Sequence, residues 1–397
     1  MEPHARFQNV ACRLIEKHSV RVSMENSPTS APSASIVVSA DDLVALVRRI
    51  FVAAGLSEQA AATVADGLVE ADLEGLTSHG VLLVDMYVDR LRAGSVTTAE
   101  AATVVSDRGS CVVLDAGNAL GHLTGGQSID LAVSRGKKHG VGIVAVRHGF
   151  HFGTARRYAL RAVDQDCIGI AMCNTRPLMP APGGAERLVG NNPIAIAVPS
   201  DDAVPLVLDM ATSEAAMGKI RLAEKAGQPI PSTWAVQADG SPTVDPKQAI
   251  AGMLLPAAGP KGFGLALMID LFCGLLSGGA SGEGVKPLYG DPAIPYDCSH
   301  FFMAIDVGHF CEPTWFRAQA AAAAARIRGG NRAPGVSQVF APGEPEWRTR
   351  QRAKGTINLD GGVVGALIKV AEDVKVSAEP LLTLSNRSSA EKHYAKM

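Results

Sequence analysis

The chain has 397 residues, 37 basic and 39 acidic, for a net charge of −2, so it offers no basic field to nucleic acid or to an anionic membrane surface. Hydrophobic residues make up 47%, with 41 Gly and 23 Pro, a composition of a globular, Gly-rich α/β protein rather than a disordered or fibrous one. The length exceeds what one core holds and predicts two or three subdomains.

Met1 to Ser23 is interrupted by Arg6, Arg13, Glu16, Lys17 and Arg21, which disfavours a secretory signal, and Met24 followed by NSPTSAPSAS reads as a natural beginning. Residues 1–38 are therefore expected to be a disordered or spurious extension. The longest apolar stretch, Phe263 to Leu276, is broken by Asp270 and is too short to span a bilayer. The cysteines at 12, 111, 167, 173, 273, 298 and 311 form no C-x-x-C pair and mostly sit in apolar runs, which predicts reduced, buried thiols, no metal site and a cytoplasmic location.

From Ser39, SADDLVALVRRIFVAAGL opens with capping residues and carries apolar side chains at helical spacing. A second helix is expected from Ser57 to Leu73 and a third from Val81 to Arg92, closing at Gly94. Between them lies Thr77-Ser78-His79-Gly80. A histidine in such a turn reads either as a packing residue between helices or as an acid/base with hydroxyl neighbours; the spacing does not choose.

Strands are predicted at Ala102 to Val105 and Cys111 to Asp115, followed by a Gly-rich loop from Gly117 to Gly126 and a helix ending near His139. The run Gly140 to Ala145 matches G-x-G-x-x-A, but its glycines precede a strand instead of following one, which excludes a Rossmann reading. Two β-branched runs, Val141 to Val146 and Ile168 to Cys173, flank a short helix from Thr154 to Val163. The loop before that helix is His148-Gly149-Phe150-His151-Phe152-Gly153, and a helix N-terminus behind two glycines favours an anion such as a cofactor phosphate.

Past Pro182-Gly183-Gly184 and Gly190-Asn191-Asn192-Pro193, strands are expected at Ile194 to Val198 and Pro205 to Asp209. Asp209 ends a buried strand, and the hydroxyls of Thr212 and Ser213 are expected to cap a helix reaching Ala223, with Lys219 two turns from that cap. Gly227 to Pro246 reads as a long surface loop. Gly259-Pro260-Lys261-Gly262 before the apolar helix Leu265 to Leu276 is a second candidate anion site. A strand at Phe301 to Val307, a helix at Pro313 to Ile327, a loop through Phe340 to Trp347, a final helix near Gly362 to Val374 and a frayed tail from Ser377 complete the chain. No repeat or zinc-type spacing is present, and Ser78, His79 and Asp209 make a poor hydrolase triad without a G-x-S-x-G elbow.

Thr77-Ser78-His79-Gly80 with Tyr87 and Gly94, His151-Phe152-Gly153, Leu208 to Ser213, Gly218-Lys219, Trp234-Ala235-Val236, Leu255 to Gly262 and Pro342-Gly343-Glu344 together resemble the malate/L-lactate dehydrogenase family, collinearly from about Ser39 to Val374. That family also holds ureidoglycolate and sulfolactate dehydrogenases and reductases of Δ1-pyrroline- and Δ1-piperideine-2-carboxylate. The resemblance implies a non-Rossmann α/β fold: a mixed-sheet NAD(P)-binding domain over residues 101–309, and a helical domain built from both termini, 39–100 joined by 310–376. It implies NAD or NADP as cofactor, a small carboxylate substrate, and a homodimer without nucleic-acid or membrane partners.

By position, His79 would be the proton donor, assisted by Ser78, with Lys219 stabilising negative charge. His151, Phe152, Gly153, Thr154 and Ala155, then Asp209, Met210 and Ala211, then Pro260 and Lys261, would contact the cofactor, with Gly343 and Glu344 approaching it. Asn191, Met217 and Gly218 would line the substrate. Leu83 stands where many members have an arginine for the substrate carboxylate, leaving Arg147, His148 or Lys219 to hold it, or a substrate that is not a simple 2-oxo acid. The first reading is reversible hydride transfer between NAD(P)H and a small 2-oxo acid; Lys219 replaces the aspartate of the imine reductases, which makes imine reduction the second. A binding protein that has lost catalysis is the third.

Overall fold

The computed structural model describes residues 35–379 and 381–382. Its centre is a seven-stranded sheet in the order Thr103–Arg108, Cys111–Asp115, Val141–Gly149, Cys298–Asp306, Cys167–Cys173, Ile194–Val198, Leu206–Met210. Neighbours are antiparallel except Cys111–Asp115 beside Val141–Gly149, the pair joined by a crossover helix, Gly121–His139. Parallel pairing needs such a crossover because the chain must return to the same end of the sheet.

Alternation along the central strands divides their side chains between two cores. Phe302 and Ala304, with Val144 and Ala171 on the neighbouring strands, join the main core under the helices Gly121–His139 and Ala155–Val163. Phe301 and Met303, with Ile143 and Ile170, face the opposite helix, Pro260–Asp270 and its π-helical turn Leu271–Leu275. The expected apolar helix here thus starts earlier than Leu265 and loosens at its end.

The helices Ala40–Ala53 and Glu58–Leu73, capped by Ser39 and Ser57, bury Leu43, Leu46, Val47, Ile50, Phe51, Val64 and Leu68. Helix Gly361–Asp373, capped by Asp360, adds Val364, Leu367 and Val370 to the same core. A two-stranded sheet pairs Ile36–Ser39 with Thr356–Leu359 in antiparallel register. Residues 36–38, read from sequence as part of an extension, are this strand; the rest of that reading, 1–34, lies outside the described residues. The start of the supposedly frayed tail is also ordered: Ala378 and Leu381 are buried, and Arg49 donates to the Ser377 carbonyl, whereas 383–397 are outside the described residues.

Other departures have local causes. The segment Gly117 to Gly126 is not all loop, because the helix begins at Gly121, where a Cβ would strike the Phe150 and His151 carbonyls. Glycine there serves close packing rather than a turn. The loop through Phe340 to Trp347 gives way to a helix at Glu344–Ala353, with Pro345 in its first turn, where proline is tolerated. The long loop from Gly227 contains Ala235–Val236, paired with Met253–Leu254. No helix among the described residues is long and apolar enough to cross a membrane.

Candidate active site

Asp72, near the end of the second helix, accepts a hydrogen bond from the Val81 amide at 2.8 Å, folding the chain back through two short 3-10 turns, Thr77–His79 and Val81–Leu83. Gly80 lies directly against the Asp72 carboxylate, where any side chain would overlap it. The turn presents His79. Ser78 Oγ is 2.9 Å from His79 Nδ1, and the His79 ring stacks on His151 with centroids 5.5 Å apart and planes 24° from parallel. The helix that follows, Val84–Ala93, supplies Tyr87, fully buried, whose hydroxyl is 2.6 Å from His151 Nδ1.

Burial lowers the pKa of His79. It lowers His151 well below the ordinary value, helped by the nearby imidazoles His79, His122 and His300. His122, completely enclosed between Gly67, Gly153 and Tyr87, is lowered by burial to about 3, with Arg157 and His79 acting in the same direction. Charged imidazoles packed this closely would repel one another in a medium that screens poorly, so the group is neutral near pH 7.

The opposite wall begins where strand Val141–Gly149 ends. Phe150 and Phe152 are buried, and Gly153 takes φ +76, its missing side chain leaving room for His122. Helix Ala155–Val163 then starts at Thr154 without a side-chain cap. Asp209, at the end of strand Leu206–Met210, accepts a hydrogen bond from the Arg156 amide at 3.3 Å. The strand is at the sheet edge and only its Val207 is buried, so it is not the buried strand expected from sequence, and Asp209 itself is exposed; the protein packed around its carboxyl still desolvates it and raises its pKa to about 6 against the opposing Arg156 bond. The Arg156 side chain is buried between Glu74, at 3.5 Å, and Glu346, at 3.6 Å, and burial raises Glu74 to about 7.

A third group of segments is held by its main chain. Thr212 donates its amide to the Asn191 carbonyl and accepts from Ala257, and Gly262 packs so tightly on Ala257 and the Thr212 carbonyl that no Cβ fits. Residues 191, 210–212 and 257–262 therefore form one wall, with Pro260 and Lys261 at the uncapped start of helix Pro260–Asp270. Thr212 and Ser213 do not cap the next helix: Ser213 Oγ donates to the Ala215 carbonyl, and helix Met217–Ala226 begins at Ala216 without a side-chain cap. Lys219 consequently lies in the first turn, exposed, two residues past a partly buried Met217, with open space over Gly218.

Gly343 packs on Pro205 and Val207 at φ +88. The Glu344 carboxylate is fully buried and accepts from Arg348, from the Ala341 amide and from Arg328, so its charge is already matched inside the protein. A recess of about 560 Å³ runs between Pro180 to Ala185 and Leu255 to Gly259, along the third wall, and His79 is not in its lining.

Leu83 is buried and apolar. Of the cations named to replace an arginine there, Arg147 and His148 both sit 3.0 Å from Asp115 and are engaged by it. Sequence reasoning passed over Arg176, a half-buried guanidinium one residue beyond Thr175, whose hydroxyl donates to Asn191 Oδ1. Burial lowers its pKa; Arg187 and Arg221 do so too, the Tyr296 phenol opposes them, and among the described residues no carboxylate forms a salt bridge with it. Tyr296 packs edge-on against Phe150, which packs against Tyr87. A lone arginine in a turn-rich run gives no sequence signal of this. His122 was likewise hidden, since burial of a polar side chain depends on partners remote in sequence, and Arg156, which the sequence offers with Arg147, Arg348 and Arg350 as a base for a 2′-phosphate, is instead buried between two glutamates.

Residues 38–368 match the family described as malate/L-lactate dehydrogenase. The chain is 36% identical over 350 residues to the malate dehydrogenase of Pyrococcus horikoshii, covering 86% of this chain and 96% of the relative. It is 34% identical over 336 residues to an NAD+-dependent ureidoglycolate dehydrogenase of Escherichia coli, covering 84% and 95%. The structure of sulfolactate dehydrogenase from Methanocaldococcus jannaschii superposes with a TM-score of 0.82 at 33% identity, over 87% of this chain and 99% of that one. With its mixed seven-stranded sheet and these matches along most of its length, the chain belongs to the malate/L-lactate dehydrogenase family of oxidoreductases.

Proposed function

We propose that this enzyme transfers hydride reversibly between a nicotinamide dinucleotide and a small 2-oxo acid, with His79 giving a proton to the oxygen during reduction and taking it back during oxidation. The carrying observation is the ordered set Ser78, His79, His151 and Tyr87 beside the Asp209 strand end. Ser78 engages Nδ1, which leaves Nε2 of His79 to meet a substrate oxygen.

A dinucleotide fits the surrounding backbone. The helices after Thr154, Ala216 and Gly259 start without side-chain caps, as do those after Leu120 and Glu312, so their first-turn amides are free of side-chain partners and can take phosphate oxygens. When bound, the nicotinamide supplies or accepts the hydride. His151, Phe152 and Gly153 would shape its pocket, and Pro260 and Lys261 the end of the third wall. Lys219 and Arg176 would hold the substrate carboxylate. Arg147, Arg156, Arg348 and Arg350, the bases the sequence offers for a 2′-phosphate, are each paired with carboxylates, which supports NAD over NADP because a 2′-phosphate needs an unengaged base. Exposed Leu265, Met268, Phe272, Leu275 and Leu276 form an apolar row on one helix and support a homodimer, measurable by sedimentation equilibrium.

Replacing His79 by Ala should lower turnover by about 10²–10⁴-fold while NADH still binds with similar affinity by calorimetry. Undiminished turnover would remove His79 from the mechanism. Initial rates with pyruvate, oxaloacetate and Δ1-pyrroline-2-carboxylate, each with both nicotinamides, test the substrate class; faster reduction of the imine would replace the oxo-acid reading.

A further inference from the structure

Behind the Phe152 wall, three potential ligands converge that the hydride-transfer site does not use. Cys173 and His300 are directly paired across two central strands, and Cys298 lies two residues from His300 beyond a register shift. Relative exposures are 4% for Cys173 and 0% for Cys298 and His300. One ligand atom from each lies within 4.8 Å of the other two, and Cys298 Sγ is 3.3 Å from His300 Nε2. The His300 ring stacks on Phe152 at 4.6 Å and 11°.

We propose that Cys173, Cys298 and His300 form a binding site for a closed-shell thiophilic cation, zinc(II) or copper(I), that pins the loop carrying Phe152 to the sheet. Sulfur-rich sets with one imidazole select these ions over hard cations. The spacing suits them, since metal–ligand bonds of about 2.0–2.3 Å place tetrahedral donors roughly 3.5–4 Å apart. Without a metal, the fully buried His300 has only a weakly bonding sulfur at Nε2, a contact that a cation on that nitrogen would replace, and Nδ1 finds no partner to compensate. Loading releases the thiol protons to solvent. Two thiolates with a neutral imidazole balance the charge of zinc, whereas the absence of a fourth His, Cys, Asp or Glu at that spacing among the described residues suits copper(I), so the two ions form separate arms of the test.

Because the site is closed, the cation enters during folding, and the full chain is therefore to be expressed in zinc- or copper-supplemented medium and purified under a thiol-free reductant. Elemental analysis should give about one metal per chain in the arm with the matching ion, and below about a tenth in Cys173→Ser/Cys298→Ser. A Cys12→Ser/Cys111→Ser/Cys311→Ser variant, which keeps the three ligands, should retain the metal. The thermal midpoint of wild type expressed in the matching medium should exceed that of wild type expressed with the metal withheld, and the doubly substituted variant should show no such difference. If the double variant does not fold by far-UV circular dichroism, the single Cys298→Ser variant carries the same expectation. Substoichiometric metal in wild type from both media, or equal metal in wild type and either ligand variant, overturns the proposal.

Discussion

His79 is neutral in the resting protein because burial lowers its pKa. The form that accepts a proton, needed to oxidise a hydroxy acid, therefore dominates at neutral pH, and the donor form needed for reduction is the minor one. For the free enzyme, kcat/KM for 2-oxo acid reduction should rise as pH falls toward the lowered His79 value, and kcat/KM for the reverse oxidation should rise as pH increases through it. Opposite profiles in the two directions, with the shared inflection below the ordinary histidine value of about 6.5, are the expected result. An inflection that persists in His79→Ala would assign it elsewhere. At the same scale, Arg176→Ala should raise KM for the oxo acid by about tenfold to a hundredfold, equivalent to losing a charged hydrogen bond of roughly 1.5–3 kcal/mol, and leave NADH binding unchanged. Arg176→Lys should fall between, since an ammonium keeps the charge and loses the planar fork.

At the scale of elements, the turn bearing His79 depends on Gly80 more than on the histidine. A methyl group there meets the Asp72 carboxylate that anchors Val81, so Gly80→Ala should lose about 1–3 kcal/mol in urea unfolding and lower kcat as His79 shifts from His151. An unchanged midpoint and kcat would show that the turn tolerates displacement. This scale also shows what the sequence made legible. The helices after Ser39 and Ser57 were readable because caps and apolar spacing coincide, and the strand from Val141 because Val141, Ile143, Val144 and Val146 enrich an uncharged stretch in β-branched residues. Glu344–Ala353, EPEWRTRQRA, was not, because it buries Glu344 in an ion cluster instead of an apolar face. Ile36–Ser39 and Thr356–Leu359 are four residues each and find partners only in one another, far apart in sequence, which no local pattern encodes. His79 and His151 were legible as candidates from their glycine-flanked turns, whereas Arg176 and His122 gain their setting only from the folded neighbours.

Across the whole molecule, two sets of displaced titrations oppose each other. His79, His122 and His151 are harder to protonate folded than unfolded, so below about pH 6.5 the unfolded chain takes up protons that the native one refuses, and stability falls with pH. Burial instead raises Asp72 to about 6, Glu74 to about 7 and Asp209 to about 6. These carboxyls hold protons in the native state that the unfolded chain has released, and their contribution grows as pH falls through 7 toward 4. The two slopes offset over the shared window, and below about pH 4 the histidine slope is joined by that of carboxyls held below their ordinary range by their partners, Asp115, Asp202, Asp306 and Glu344. The thermal midpoint should therefore stay nearly level from pH 7 to about 4.5 and drop steeply beneath it. In Glu74→Gln/Asp209→Asn, which removes two opposing carboxyls, the decline should begin near pH 6.5; a wild-type midpoint already falling steadily from pH 6.5 would contradict the balance.

The pairing of Ile36–Ser39 with Thr356–Leu359 has a consequence for synthesis. The helices Ala40–Ala53 and Glu58–Leu73 leave the ribosome before the central sheet and well before their closing strand and the helix Gly361–Asp373, so their apolar faces wait while the central sheet assembles. Nascent chains arrested before Thr356 should remain protease-sensitive in this lobe and recruit chaperones, and release of the completed chain should abolish both.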